Sequence, residues 1–317
     1  MPDTGDPSPA PGADAAHLAR RIGQLAATAH SGFAPAIARL HRSLHQLLAS
    51  DAKPLLRALQ DMQHAVADAQ CHRPGPRWLR WLPWLGSGPR AELQYRTDCR
   101  EALGTRGAVT EHARALAGVH RPQSAEAARQ LSQLLEVIDA MDVPLHEAQS
   151  LLTTWWDDVR TQRPDPQDQP AVDQLRAMVA EVDTHRTLVQ RLESACSAAR
   201  DVVRIGRAVV SGRDTLLRLL DASFDRCWDD WRLRVQPALG DEAAPDPERV
   251  VDIASRAAPA RRALLQRLEQ ARAECTRLQI DEQALAQALA QLGEQLAALG
   301  DRPIGDEPTL PGIVPRR

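Results

Sequence analysis

The chain has 317 residues, of which 43% are hydrophobic, 26% are charged and only 3% are aromatic, and its formal net charge is -3. This slightly acidic balance argues against a general nucleic-acid-binding protein, which needs a basic face. The apolar share is mostly Ala, Leu and Val, and every basic residue except Lys53 is an arginine. Such a composition is typical of long helices rather than of an aromatic-rich β-protein or globular enzyme.

The compartment is predicted from the cysteines and from the apolar runs. The chain has five cysteines, which lie far apart and include no Cys-x-x-Cys pair: Cys71, Cys99, Cys196, Cys227 and Cys275. An odd number of widely spaced cysteines is expected of reduced thiols rather than of disulfide bonds. The first 16 residues have no basic start and no apolar core, so they do not resemble a signal peptide. No run of about 18 apolar residues is present, so no transmembrane segment is predicted. The sequence therefore favours a cytoplasmic location.

In chain order, the N-terminal half is predicted to be helical with one interruption. Residues 1–13 should be a disordered tail, and residues 14–70 should form N-terminal helices, with Pro35 and Pro54 each opening a new helix. The Pro-, Gly- and Trp-rich stretch 71–90 is interpreted as an ordered loop. Helix is expected again over 91–160, with a new start after Pro122.

The C-terminal half is dominated by one helical pattern. Residues 161–170 are predicted to be a linker, 171–235 a long helix, 236–247 a turn, 248–299 a C-terminal helix and 300–317 a disordered tail. The predicted weak point of the long helix is Ser211-Gly212. Its small or apolar positions recur every three or four residues, and we call them the seam: Leu175, Met178, Val182, His185, Val189, Leu192, Cys196, Ala199, Val203, Gly206, Val210, Arg213, Leu217, Leu220, Phe224, Cys227 and Trp231.

The seam and the short connections together predict the fold class. Alternating steps of three and four residues are typical of helices that pack in coiled-coil fashion. Short connections force such helices to fold back on each other. We therefore expect an all-α protein, an elongated antiparallel helical bundle with long coiled-coil-like helices. His185, Gly206 and Arg213 suit a symmetric two-stranded coil poorly, so a monomer is favoured over a homo-oligomer.

The search for catalytic chemistry finds no strong motif. His41 and His45 are four residues apart, but Arg42 stands where a zinc protease motif has glutamate. The carboxylate pairs Asp157-Asp158 and Asp229-Asp230 follow tryptophans, but adjacent helical residues diverge by about 100° and do not converge on one point. No phosphate-binding loop or nucleophile elbow is present. We accordingly predict no catalytic, cofactor-binding or metal-ligating residues, and a protein that is not an enzyme.

A tryptophan-rich segment, residues 77–86, is the candidate interaction surface. Its Trp78, Trp81, Leu82 and Leu85 share one face of a short helix by their spacing. Three interpretations stay open: a cap buried on the bundle, a site for a protein partner, or a wedge at a membrane surface. The candidate contact residues are Arg77, Trp78, Arg80, Trp81, Leu82, Trp84 and Leu85.

Three sequence stretches follow the tryptophan-rich segment along the chain. They are the stretch Leu93 to Arg96, the stretch Glu101 to Arg106, and a long helix that carries Leu216 to Leu220 before Trp228 to Trp231. Over about residues 35–240 this order resembles the bacterial toxic-anion (tellurite) resistance family of the TelA type. The resemblance implies an all-helical cytosolic accessory protein of metalloid or envelope stress, with no catalytic residues to carry over.

These observations together predict a non-enzymatic helical interaction or scaffold protein with a protein partner of unknown identity. The link to toxic-anion or envelope stress comes from the family resemblance. The alternative is a peripheral protein that contacts the membrane surface through the tryptophan-rich segment. Neither function requires a cofactor or nucleic acid.

Overall fold

A computed structural model describes residues 11–49, 51–70, 88–240 and 247–300, and over these ranges the chain is helical without a strand. The predicted all-α fold is thereby confirmed. None of the described helices is both long and apolar enough to cross a membrane. In chain order the elements are α1 (Pro11–Leu48), α2 (Lys53–Asp68), α3 (Gly88–Thr161), α4 (Gln169–Arg218), a π-helical turn (Leu219–Phe224), α5 (Asp225–Leu239) and α6 (Pro247–Gly300).

The chain forms two compact units, each built from separate segments. Unit 1 comprises Met1–Arg42, Arg129–Gly206 and Leu285–Arg317, and unit 2 comprises Ser43–Ala128 and Arg207–Ala284.

Both units contain antiparallel helices. In unit 1, Arg200 of α4 pairs with Asp142 of α3, while the ring of His185 lies against Trp155 further along α3. In unit 2, Arg106 of α3 pairs with Asp225, and Arg121, four turns further along α3, pairs with Asp221. In each case the later position on α3 meets the earlier position on its neighbour.

The seam lies on the buried side of its helix. Each of its positions from Leu175 to Trp231 is buried or half-buried within one copy of the chain. Gly206 shows how close the packing is, because a Cβ added there would lie 2.8 Å from a Cδ of Leu131. Helix α3 approaches α4 closely at this point because position 206 has no side chain.

The prolines disturb the helices less than the sequence predicts. Pro54 lies in the first turn of α2, as expected. Pro35, however, lies inside α1, and α3 continues through Pro122, so the predicted helix starts at these two positions are wrong. Proline removes one main-chain donor. Phe33 and Ile37, on either side of Pro35, are buried, and their packing stabilises the helix where this hydrogen bond is missing.

The long helix departs from regularity at a place that the sequence does not predict. Its backbone is helical through Ser211 and Gly212, and the irregular turn lies at Leu219–Phe224 instead. The predicted turn over 236–247 begins too early, since α5 continues to Leu239. Helix α3 also begins at Gly88, inside the stretch predicted to be a loop. Between α3 and α4, residues 162–168 form the predicted non-helical linker.

Candidate functional site

The interaction surface predicted from the sequence lies outside the described residues. This holds for all seven of its members: Arg77, Trp78, Arg80, Trp81, Leu82, Trp84 and Leu85. Of the histidines considered as metal ligands, His41 and His45 are both exposed on α1. Within the part of the chain that the structure describes, no group of three His, Cys, Asp or Glu is placed to hold a metal ion.

A cleft of about 530 Å³ lies in unit 2 between α3 and the π turn, and we call it the α3 cleft. Its floor is apolar: Val109, Leu220 and Phe224 are each less than 5% exposed. One wall consists of the small residues Ala113, Ala117 and Gly118. A Cβ added to Gly118 would meet no atom within 4 Å, so the space in front of this glycine is open.

Ion pairs between α3 and the opposite wall border the cleft. Arg106 donates from Nη2 to Oδ1 of Asp225 at 2.9 Å, and its Nη1 lies 3.4 Å from Oδ1 of Asp229. The same guanidinium lies 5.5 Å from the ring centroid of Trp228, within cation–π range. Arg121 pairs with Asp221 at 3.3 Å, but both side chains are about two-thirds exposed. Arg106 is therefore the more firmly held of the two arginines.

The π turn supplies three residues of this wall: Leu220, Asp221 and Phe224. A π turn contains one residue more than an α turn, and such turns occur frequently at functional sites. Here Leu220 and Phe224, four residues apart within the turn, are both buried. Across this turn the seam positions still recur at steps of three and four residues, so the sequence carries no clear mark of the π turn.

A second polar feature, the Arg213 cluster, is buried in unit 2. Arg213 is completely buried and donates to Oε1 of Glu282 from Nε at 2.9 Å and from Nη2 at 2.5 Å. Its Nη1 donates to the carbonyl oxygen of Leu47, in the last turn of α1. Glu282 also accepts a hydrogen bond from the backbone N–H of Ala52. The pair thus satisfies main-chain groups on both sides of the connection between α1 and α2.

Burial controls the ionisation of the groups near this cluster. Burial lowers the pKa of His120, and the positive charge of Arg213 lowers it further. The imidazole is 3% exposed and its Nδ1 has no hydrogen-bond partner. Burial raises the pKa of the Glu282 carboxyl, an effect that Arg213 opposes. Burial likewise raises the pKa of the Cys275 thiol to about 12, so this thiol is unreactive near neutral pH.

Three arginines of this chain donate hydrogen bonds to carbonyl oxygens at the end of another helix. Besides Arg213, Arg191 donates from Nη1 to the carbonyl oxygen of Ala298 at 3.0 Å, near the end of α6. Arg261 donates from Nη1 to the carbonyl oxygen of Ala67 at 2.8 Å, at the end of α2. The last carbonyls of a helix have no partner within that helix and carry partial negative charge. Each of these arginines supplies the missing donor from another helix.

Comparison of the chain with family models, with curated proteins and with solved structures gives no match.

Proposed function

We propose that this protein is a non-enzymatic helical interaction or scaffold protein. The observation that supports this most directly is the set of cross-helix arginine contacts. Arg213, Arg191 and Arg261 each bind the terminal carbonyls of a different helix. In these contacts, charged side chains join one helix to another. Such a framework is suited to holding an exposed surface in a fixed arrangement for a partner.

The partner-binding surface that we propose is the tryptophan-rich segment. Tryptophan and arginine are over-represented among residues that dominate binding energy at protein interfaces. Three of the seven tryptophans of the chain lie within the ten residues of this segment, together with two arginines. The resemblance to the toxic-anion resistance family supports a cytoplasmic role in metalloid or envelope stress as the biological setting.

Site-specific photo-crosslinking in the intact chain tests this function. A photo-reactive phenylalanine analogue replaces Leu82, or, as a matched control, the exposed Leu233 of α5. We expect position 82 to crosslink one protein or a few proteins that position 233 does not. Trp78→Ala combined with Trp81→Ala should abolish those products without changing the helical circular dichroism.

The crosslinked protein must then bind the purified chain on its own, measured by calorimetry. Identical products from positions 82 and 233, or a product that shows no binding once purified, would exclude the proposed function.

The peripheral-membrane alternative is favoured by the one-sided spacing of Trp78, Trp81 and Leu85 beside Arg77 and Arg80. Co-sedimentation with vesicles of phosphatidylcholine and phosphatidylglycerol in equal parts separates the two functions. Binding that the Trp78→Ala and Trp81→Ala variant loses would support the membrane function. A wild-type chain that stays in the supernatant would eliminate it.

A further inference from the structure

We infer that a small pocket in unit 2 binds a carboxylate with a compact apolar body, such as an aromatic acid of the size of benzoate. The pocket lies where the end of α2 meets α3, α5 and α6, and we call it the Arg261 pocket. The inference goes beyond the scaffold function and does not depend on it, because it concerns a small ligand rather than a protein partner.

The size and walls of the Arg261 pocket suit a single ring. Its volume is about 140 Å³, and a dry apolar cavity of about 150 Å³ binds benzene. Helix α6 contributes Ala254, Ala257 and Ala258, at the spacing of one helix face, and the aromatic side chains of Tyr95 and Trp231 also line the pocket. Ala257 and both aromatic residues are buried. The walls therefore offer apolar surface on which a flat ring is removed from water.

The polar part of the site is the guanidinium of Arg261, which is half-buried. Its Nη1 donates to the carbonyl oxygens of Ala67 at 2.8 Å and of Ala69 at 3.5 Å. Its Nε and Nη2, which carry three of the five N–H groups of a guanidinium, have no acceptor among the residues that the structure describes. Nε and Nη2 form one edge of the planar group, and such an edge binds both oxygens of a carboxylate. A bound carboxylate would therefore complete the hydrogen bonds of this side chain.

The charges around the pocket favour an anion. Arg261 is the one charged residue among those that line it. Asp68 lies between Ala67 and Ala69 in the sequence, but it is exposed and is not paired with Arg261. Acidic residues next to the lining residues in the sequence, or one turn from them, are paired with other arginines: Asp230 with Arg234, Asp252 with Arg256 and Glu92 with Arg96. The carbonyl groups at the end of α2 carry only partial negative charge and accept only from Nη1, so the positive charge of Arg261 is not fully offset.

Two matched pairs of variants separate the charged part of the site from the apolar part. Arg261→Gln removes the guanidinium, and Arg191→Gln removes an arginine that also donates from Nη1 to a carbonyl at a helix end but does not line this pocket. Ala258→Leu fills the pocket, whereas Ala284→Leu adds the same side chain at a half-buried position of α6 outside it. Circular dichroism verifies that each variant is folded. Ala258→Leu leaves Arg261 in place, so it still tests the site if Arg261→Gln does not fold.

The probe is benzoate, and its binding to the intact chain is measured by titration calorimetry. We expect a Kd of about 1 mM or tighter, which a ligand of this size can reach. Benzamide, which has the ring without the charge, and acetate, which has the charge without the ring, should each bind at least about tenfold more weakly. Arg261→Gln and Ala258→Leu should each weaken benzoate binding at least about tenfold, and the two control variants should stay within about twofold of the wild type. Benzoate should also raise the Tm of the wild-type chain.

Three results would overturn the inference. They are absence of benzoate binding up to about 10 mM, binding of benzamide or acetate as tight as that of benzoate, and an equal loss in Arg261→Gln and Arg191→Gln. A carboxylate can also belong to the C-terminus of a protein chain, so the peptide acetyl-Gly-Gly-Phe is titrated in the same way. Tighter binding of this peptide than of benzoate would assign the pocket to a protein terminus and refute the small ligand. Because benzoate binding needs no protein partner, its outcome is independent of the crosslinking that tests the scaffold function.

Discussion

Arg213 illustrates at the scale of a single residue how this chain uses charge inside a helical core. A guanidinium on a seam that is, apart from His185, made of apolar and small residues is expensive to bury, since its desolvation must be offset by close partners. Glu282 and the Leu47 carbonyl are those partners. The arrangement joins α4 and α6 to the end of α1, and its removal affects several helices at once.

Replacing Arg213 with Met should destabilise the protein severely, because Glu282 stays buried without its partner. We expect the free energy of unfolding to fall by about 3–5 kcal/mol, measured by urea denaturation. Arg204→Met, which removes an exposed i,i+3 ion pair with Asp201, should cost less than about 1 kcal/mol. Adding Glu282→Met to Arg213→Met should restore part of the loss. A double variant less stable than Arg213→Met would show that the pair is not what the single substitution disrupts.

His120 should make the protein less stable at acidic pH. Its pKa in the folded chain is lowered from the ordinary value of 6.5. The unfolded chain therefore binds a proton more readily than the folded chain, and stability falls as the pH decreases through 6.5 and levels off below the folded pKa. Thermal melts across this range should show the effect. His120→Gln should flatten it, whereas His146→Gln, at an exposed site, should leave it unchanged. Equal slopes in all three proteins would contradict this assignment.

At the scale of elements, helix α4 is shaped by one close approach and one irregular turn. The close approach is at Gly206, where the neighbouring Leu131 occupies the space of a side chain. The irregular turn is the π turn between α4 and α5. Each can be tested with a substitution or deletion that has a counterpart elsewhere in the helices.

Gly206→Ala should destabilise the protein even though alanine is the better helix former. The added methyl meets Leu131, which is fully buried, and overpacking of this kind costs about 1–3 kcal/mol. Gly293→Ala, where a Cβ meets no neighbour, should stabilise by about 0.5–1 kcal/mol. Urea unfolding of both variants measures the difference. In a Leu131→Ala background the penalty at position 206 should disappear, and a penalty of unchanged size there would refute the steric explanation.

The protein should tolerate deletion of one residue inside the π turn, but not deletion of one residue from the regular part of α4. Deleting Ser223 allows the π turn to become a regular α turn. The residues after it then keep the same sides of the helix towards the core and towards solvent. Deleting Ser211 from the regular part of α4 rotates everything beyond it by about 100° and should cost more than about 4 kcal/mol. Helical circular dichroism and urea midpoints compare the two proteins. Equal losses would mean that the π turn does not absorb the deletion.

The sequence predicts the helices better than their irregularities, for a physical reason. The seam is a local pattern, and burying it determines where α4 and α5 lie; its positions are accordingly buried or half-buried in the structure. Pro35 and Pro122 lie inside helices rather than at their starts, because packing of the buried residues around them outweighs one lost hydrogen bond. The α3 cleft was not foreseen, since it combines Ala117 and Gly118 with Phe224, more than a hundred positions away. Arg213 stood out in the sequence as a seam residue, but its partner Glu282 did not.

At the scale of the whole molecule, the burial of the seam bears on the oligomeric state. Every seam position is at least half-buried within a single copy of the chain, so a second copy is not needed to cover it. We therefore expect a monomer of 34.8 kDa by light scattering coupled to gel filtration, independent of protein concentration. A mass twice as large at all concentrations would contradict this expectation and would place a second chain among the candidate partners.

The segmented make-up of the two units has a consequence for synthesis on the ribosome. Unit 1 draws on residues beyond 285, and unit 2 uses the chain up to Ala284, so neither has all its parts until α6 has been translated. Many proteins complete one domain while the next is still being made. The apolar surfaces of the earlier helices that pack against α6 therefore stay exposed to water until α6 has been made. The nascent chain should therefore depend on chaperones that shield apolar surface, and a premature stop codon before α6 should leave no folded product of either unit.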